Sequence, residues 1–325
     1  MKKALGIYGP ETEGIKEKFN ILKILFGSQY TTKFINSNLP LPSQIELLKD
    51  LSVIIAMPST FPNELAEKCK NLKLIQVFSA GTDNIDIQYL TKHGIQIANN
   101  FGQNAVTVAE HTIGLMISVS RNFHAQITET FSGNWQSNVR GKLQNSELFG
   151  KKIGIIGFGE IGQKVAQRLQ GWECELSYND ILKIPEEIKE KFNIQEKSKE
   201  DIFLNSDIIT LHVPLTAMTI KLAGEKELNM MKKSSILINA SRGPVVDEKA
   251  LYKILKNRKI MGAGLDVLED EPNIHENHPL LSLKNVFITP HLAALSSEAG
   301  DRTDKFMVNN VKRFLDGDIP LSIIN

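Results

Sequence analysis

Six residues, Gly157-Phe158-Gly159-Glu160-Ile161-Gly162, constrain this chain more than any others because of what stands on either side of them. Before them runs Lys152-Ile153-Gly154-Ile155-Ile156, a short β-branched apolar stretch; after them Val165, Ala166 and Leu169 recur at helical spacing. A lone GxGxxG says little, but set between a strand and a helix it predicts a turn that holds a pyrophosphate. The first glycine permits the tight turn, the second lets a phosphate reach the backbone, and the third lets helix and strand pack closely. Amides at the helix N-terminus then face the anion. The same device calls for an acid about 20 residues on, at the end of the next strand, where ribose hydroxyls bind. Asp180 stands 18 positions after Gly162, directly behind Leu176-Ser177-Tyr178-Asn179. Its charge would repel a 2′-phosphate and Ile181-Leu182 offers no arginine, so the pattern favours NAD over NADP.

The rest of the chain agrees with a parallel α/β architecture. Short apolar runs alternate with helical stretches, which is the pattern of a sheet covered by helices. Ala4–Tyr8, Thr32–Ile35, Ser52–Ala56, Leu74–Phe78 and Ile95–Ala98 read as the strands of a first unit. Lys152–Ile156, Glu175–Tyr178, Ile208–His212, Ile236–Asn239, Gly262–Asp266 and Val286–Thr289 read as six strands of a second. Between them Thr107–Arg121 carries Val108, Thr112, Leu115, Met116 and Val119 at helical spacing and reads as a buried connecting helix. The charged stretch Lys183–Asp201 reads as a solvated helix and loop. Trp135 and Trp172 read as packing residues. A length of 325 residues fits about two domains, and the helical spacing of Ser297–Leu315 allows the C-terminus to return to the first.

Charge narrows the partners. Lys and Arg number 38 against 37 Asp and Glu, a net +1, which excludes a chain whose main work is coating nucleic acid or an anionic membrane. The two cysteines, Cys69 and Cys174, have no CxxC spacing, so neither a disulfide framework nor a thiolate metal site is expected. Glu110-His111 lacks an HExxH partner and reads as part of the helix, so no metal is expected. No window approaches a membrane span of about 18–20 apolar residues, and the N-terminal apolar run is too short for a signal peptide. A cytoplasmic, unprocessed protein is expected.

Three further residues stand where open α/β sheets bind ligands, at strand C-termini. Arg242, in Asn239-Ala240-Ser241-Arg242-Gly243-Pro244, has the planar fork that suits a carboxylate. Gly264-Leu265-Asp266-Val267-Leu268-Glu269-Asp270-Glu271-Pro272 ends a strand in a cluster of acids, and Thr289-Pro290-His291 ends the last with a histidine. An arginine, an acid and a histidine, each at a strand's C-terminal end in one nucleotide-binding unit, are too many to be coincidence.

The sequence resembles the D-isomer-specific 2-hydroxyacid dehydrogenases. The resemblance rests on Ser79-Ala80-Gly81-Thr82-Asp83-Asn84-Ile85-Asp86, Val108-Ala109-Glu110-His111, Gly154 to Gly162, His212-Val213-Pro214-Leu215, Asn239 to Asp247, Gly264 to Pro272 and Pro290-His291. It implies a Rossmann cofactor domain over residues 104–292, joined to a discontinuous, flavodoxin-like substrate-binding domain of residues 1–103 and 293–325. It implies catalytic roles for Arg242 on the substrate carboxylate, His291 as general acid or base, and Glu271 as the partner that holds His291 protonated. Ser79, Ala80 and Gly81 would offer backbone amides to the carboxylate. Cofactor contacts are implied for Gly157, Gly159, Glu160, Ile161, Gly162 and Asp180, for Val213 and Pro214 near the adenosine half, and for Ala240, Asp266 and Ala293 near the nicotinamide. The implied activity is hydride transfer between NADH and a small 2-oxoacid such as glyoxylate, hydroxypyruvate or pyruvate, in a homodimer whose interface draws on Thr107–Arg121 and Phe123–Trp135.

Relatives that act on 3-phosphoglycerate tend to carry arginines where this chain reads Met57-Pro58-Ser59-Thr60 and Gln76-Val77-Phe78. A phosphorylated substrate is therefore disfavoured, unless Lys73 or Arg140 compensates. With the chain ending at Asn325, feedback through an appended domain is not expected. Ala293 stands where many relatives have glycine. The alternatives are a D-3-phosphoglycerate dehydrogenase, a non-enzymatic NADH-sensing module like the C-terminal-binding-protein corepressors, and a formate or phosphite enzyme of the same fold.

Overall fold

A computed structural model describes residues 3–135 and 144–325. The chain divides into two compact units, Met1–Asn104 with Ser296–Asn325, and Ala105–Leu295. The division places Ala293 in the second unit.

The first unit holds β1 (Lys3–Gly9), β2 (Tyr30–Asn36), β3 (Val53–Ala56), β4 (Leu74–Val77) and β5 (Gln96–Ala98), all parallel, in the order β2-β1-β3-β4-β5. That is the flavodoxin-like order. The central strands β3 and β4 are buried along their whole length, as expected of parallel strands covered on both faces. Helices α1 (Glu13–Phe26), α2 (Leu41–Leu48), α3 (Asn63–Lys68) and α4 (Ile87–Lys92) connect them. The Thr12 hydroxyl accepts from the Ile15 amide to start α1, and Gly27, at φ 76°, ends it. The C-terminal helix, Ser297–Asp316, buries Met307, Val308 and Val311 in one core with Leu5, Ile7, Val53 and Leu74, so the last residues share the hydrophobic interior of the first hundred.

A chain of buried amides fixes this return. Gln76 Nε2 donates to Asn100 Oδ1 at 3.2 Å, while Asn310 Nδ2 donates to Gln76 Oε1 at 2.7 Å and to Leu321 O at 3.0 Å. All three side chains are buried, and each would cost about 1–3 kcal/mol if stranded without a partner. Asn100 Nδ2 also donates to Phe78 O at 2.6 Å, which ties the loop after β4 into the same network.

The second unit holds seven parallel strands: β6 (Lys152–Ile156), β7 (Glu175–Asn179), β8 (Ile194–Glu196), β9 (Ile208–Leu211), β10 (Ile236–Asn239), β11 (Gly262–Leu265) and β12 (Val286–Ile288). Their order, β12-β11-β10-β9-β6-β7-β8, is the Rossmann arrangement with one strand added beyond the usual six. Sequence reading counts six because β8 lies inside Lys183–Asp201. Only one of its three residues, Ile194, is buried, so no apolar run marks it. The same charged stretch supplies two helices around that strand. The second unit's helices among the described residues are α5 (Ala105–Ser120), α6 (Phe123–Phe131), α7 (Glu160–Leu169), α8 (Glu186–Phe192), α9 (Lys199–Asn205), α10 (Glu225–Met230) and α11 (Glu248–Lys256).

The helix read as a connector is α5, and it belongs wholly to the second unit. Val108, Leu115, Met116 and Val119 enter that unit's core, and a Cβ placed on Gly264 of β11 would lie 3.1 Å from Leu115 Cβ. The two tryptophans correct their packing assignment: Trp135 is 73% exposed and Trp172 38%. Among the described residues no helix is long and apolar enough to cross a membrane.

Candidate active site

The three glycines of the β6–α7 turn do different work. Gly157 sits at φ +89°, and a side chain there would run into the backbone oxygen of His212, just beyond β9. Gly162, inside α7, faces the Gly157 oxygen, which a Cβ would strike. These two are required by internal packing. Gly159, the N-cap of α7, has nothing within 4 Å of a Cβ built on it. No neighbour among the described residues demands a glycine there; the open space lies at a helix N-terminus, where a phosphate would approach. The turn therefore fits a dinucleotide.

Asp180 lies beside this turn. Its Oδ2 accepts the Phe158 amide at 2.6 Å and its Oδ1 the Leu182 amide at 2.8 Å, while the Gly157 amide donates to Asn179 O at 2.8 Å. The acid thus braces the glycine loop from the end of β7. Glu160 is exposed in the first turn of α7, and Ile161 is half-buried against the core. Val213 and Pro214 follow β9; Val213 packs near Gly157 and Pro214 is exposed. His212 beneath them donates or accepts at Thr210 Oγ1 over 2.9 Å, and burial pushes its imidazole down to about 3. It is therefore neutral at physiological pH.

The second cluster gathers at the C-terminal ends of β10, β11 and β12. Asn239, buried at the end of β10, shapes the next turn: its Oδ1 accepts from Ser241 N and Oγ, and its Nδ2 donates to Arg242 O at 2.9 Å. Arg242 Nη1 donates to Ser241 O at 2.8 Å. Gly243 has no room for a Cβ because the Leu268 and Glu269 backbone lies against it, so the Arg242 turn and the acid-bearing loop after β11 are in backbone contact.

Asp266 is the hub of that loop. Its Oδ1 accepts from Thr289 Oγ1 at 2.5 Å and Leu292 N at 3.0 Å, and its Oδ2 from Ala293 N at 2.8 Å. Burial pushes its carboxyl up, but hydrogen bonds from His111, Thr289 and the two amides outweigh it and hold the group below its ordinary value. Its backbone oxygen accepts the His291 amide at 2.7 Å. His291 adopts φ +54°, a left-handed conformation that costs a non-glycine residue about 1–3 kcal/mol. So placed, His291 Nδ1 meets Glu271 Oε1 at 2.8 Å. The Glu271 hydrogen bond and charge raise the imidazole above its ordinary 6.5, outweighing burial and the opposing field of Arg242. Of the three acids open in the sequence, the one before Pro272 takes the histidine; Asp266 is committed to backbone amides, and Glu269 offers its own amide to Glu248 Oε1 at 2.7 Å.

Two participants are missed by sequence reading. His111, set aside as a helix residue, places Nε2 2.8 Å from Thr289 Oγ1 and 3.4 Å from Asp266 Oδ1. Because the Thr289 hydroxyl donates to Asp266, His111 is the donor to Thr289. Glu248, unmarked by any motif, is the second. Ala240 and Ala293 are nearly closed to solvent and form floor rather than surface.

In the first unit, Ser79, Ala80 and Gly81 follow β4. The Ser79 amide donates to Ser59 Oγ at 3.0 Å and its hydroxyl to Gly81 O at 2.5 Å, while Asn99 Nδ2 holds Ala80 O at 2.7 Å. Ser79 is thus spent on the turn's own shape. Lys73 precedes β4 at its opposite end, and Arg140 lies outside the described residues.

Residues 113–293 match the family profile described as D-isomer specific 2-hydroxyacid dehydrogenase, NAD binding domain. A glyoxylate reductase of Thermococcus litoralis is 36% identical over 286 residues, covering 86% of each chain. A D-3-phosphoglycerate dehydrogenase of Methanocaldococcus jannaschii is 35% identical over 86% of this chain, which spans only about half, 53%, of that relative. The structure of a D-lactate dehydrogenase from Aquifex aeolicus, complexed with NAD and lactic acid, superposes with a TM-score of 0.81 at 28% identity and covers 96% of both chains. With the glycine turn, Asp180 and the Arg242, Glu271 and His291 cluster in place, the chain belongs to the D-isomer specific 2-hydroxyacid dehydrogenases and is an NAD-binding oxidoreductase of that family.

Proposed function

We propose that this protein reduces small, unphosphorylated 2-oxoacids with NADH, glyoxylate and hydroxypyruvate foremost. The observation that carries the reading is the 2.8 Å contact of His291 with Glu271 in the field of Arg242. Bound NADH supplies the hydride. Gly159 and the first turn of α7 hold its pyrophosphate, Asp180 its ribose, and Val213, Pro214, Ala240, Asp266 and Ala293 line its path. Arg242 grips the substrate carboxylate and polarises the keto oxygen. His291, kept protonated by Glu271, gives its proton to the oxygen in reduction and takes it back in oxidation.

Several features favour an unphosphorylated substrate. Gln76, in the stretch Gln76-Val77-Phe78 where relatives acting on 3-phosphoglycerate tend to carry arginine, is fully buried between Asn100 and Asn310. Lys73 is separated from the Ser79 turn by the length of β4, about 13 Å at about 3.3 Å per residue. The curated relatives named glyoxylate reductase also match along most of their length. A homodimer in the cytoplasm is part of this proposal, supported by the exposed stripe Phe123, Ile127 and Phe131 on α6.

The test is NADH oxidation by purified protein with glyoxylate, hydroxypyruvate, pyruvate and 3-phosphohydroxypyruvate. Turnover on the first two with little on the last supports the reading. A preference for the phosphorylated acid, or a stable peptide partner with negligible turnover on any acid, overturns it.

A further inference from the structure

We propose that Glu248 and His278 are a positioning pair for Glu271, setting through one carboxylate how closely the acid stands against His291. The proposal rests on the reading that Glu271 and His291 carry the proton transfer. Glu248 opens α11, six residues after Arg242, and points its carboxylate back to the loop after β11. Oε1 accepts the Glu269 amide at 2.7 Å, two residues before Glu271. Oε2 lies 3.2 Å from His278 Nε2, and the two side chains are only 11% and 12% exposed. One residue thus joins three segments: the Arg242 turn with α11, the acid loop, and the His278 segment.

Leu268, the residue before Glu269, is buried in the core and seats the loop there. Gly243 lets the Leu268 and Glu269 backbone rest directly on the Arg242 turn, and Lys221 N to Pro244 O at 2.8 Å and Asp247 N to Ala223 O at 3.1 Å hold that turn from the other side. Glu248 then fixes the chain at Glu269, and Glu271 follows within two residues. His278 Nδ1 is buried with no hydrogen-bond partner among the described residues, so Nε2 is the ring nitrogen that meets Glu248. Burial also pushes the Glu248 carboxyl up, against the Glu269 amide and His278.

The pair touches neither substrate nor cofactor in this scheme and acts only through Glu271. The groups that face His291 electrostatically are Glu271, Arg242 and Asp266; those that face Glu248 are His278 and Glu269. Two variants separate reach from charge. Glu248→Asp keeps the charge but draws the carboxylate back by one methylene, beyond the Glu269 amide. Glu248→Gln removes the charge but keeps an oxygen in reach.

The experiment is an NMR titration of the His291 imidazole in the full-length protein with ring-labelled histidine, the signal being assigned by its loss in His291→Gln. In Glu248→Asp the midpoint should fall toward the ordinary histidine value and kcat for reduction should drop, up to the roughly 100-fold that a misplacement of about 1 Å can cost. NADH affinity should stay within about twofold of wild type, since no contact to the glycine turn is altered. Glu248→Gln should titrate close to wild type. A Glu248→Asp midpoint equal to wild type, or a Glu248→Gln midpoint that falls as far as that of Glu248→Asp, overturns the proposal. Glu271→Gln in the same titration keeps the two readings apart: if it lowers the midpoint while Glu248→Asp does not, the dyad stands and the positioning role fails. If Glu271→Gln leaves it unmoved, the dyad itself fails.

Discussion

His291 Nδ1 and Glu271 Oε1 stand 2.8 Å apart, and this contact raises the imidazole above its ordinary value of 6.5. A group whose folded value is raised contributes stability that is full below the unfolded value and lost as pH rises through the folded one. Activity follows the same proton. Reduction needs imidazolium, so its kcat/KM should be flat at low pH and fall as pH rises past the raised value; oxidation should show the mirror profile. In Glu271→Gln the descending limb of reduction should move to lower pH. Steady-state rates from mildly acid to alkaline pH measure this, and a limb that stays in place would show that Glu271 does not set the proton affinity.

The glycine turn yields a pair of opposite outcomes. Gly162→Ala forces a methyl onto the Gly157 oxygen and should destabilise the fold by about 1–3 kcal/mol, the usual range for overpacking. Gly159→Ala meets open space and should change stability by no more than about 0.5 kcal/mol, yet weaken NADH binding. Thermal melts and fluorescence titration with NADH measure both effects. Normal NADH binding by the Gly159→Ala variant would mean that the pyrophosphate lies elsewhere.

Asp180 carries two duties, accepting the Phe158 and Leu182 amides and, in the proposed function, reading the ribose. Asp180→Ala should lower the preference for NADH over NADPH and also lower stability, because two hydrogen bonds to a charged group are lost at about 1.5–3 kcal/mol each at most. Asp180→Asn keeps an acceptor for one amide and should show the cofactor shift with a smaller stability loss. An unchanged NADH to NADPH ratio in both variants would place the discrimination on another residue.

In the first unit, Asn310→Leu strands Gln76 Oε1 and the Leu321 backbone. A loss of about 1–3 kcal/mol per orphaned group is expected, read from the urea midpoint, with no effect on substrate preference because Gln76 is sealed from solvent. A change in the ratio of glyoxylate to 3-phosphohydroxypyruvate turnover would contradict that placement.

How legible was this in the sequence? The strands that carry the site are continuous apolar runs ending in Gly157, Arg242, Asp266 and His291, so alternation of such runs with helical stretches put each residue at the correct sheet edge. Strand β8 was hidden because an edge strand with one buried residue has no such run. Spacing could not choose among Asp266, Glu269 and Glu271, whose differing fates depend on where a tight loop turns its side chains; only the resemblance singled out the acid before Pro272. His111 and Glu248 were invisible for a further reason: each is one polar residue on a helix, and its partners lie 178 and 21 residues away. Long-range polar contacts leave no period in a sequence.

The central claim is that His291 transfers the proton during reduction of a 2-oxoacid. It is tested most directly by comparing wild type and His291→Ala with NADH and glyoxylate at neutral pH, with NADH affinity measured on the same samples. The expected result is a kcat lower by about 10²- to 10⁴-fold, the usual contribution of a positioned acid or base, with NADH binding nearly unaltered. Turnover in His291→Ala equal to wild type would contradict it.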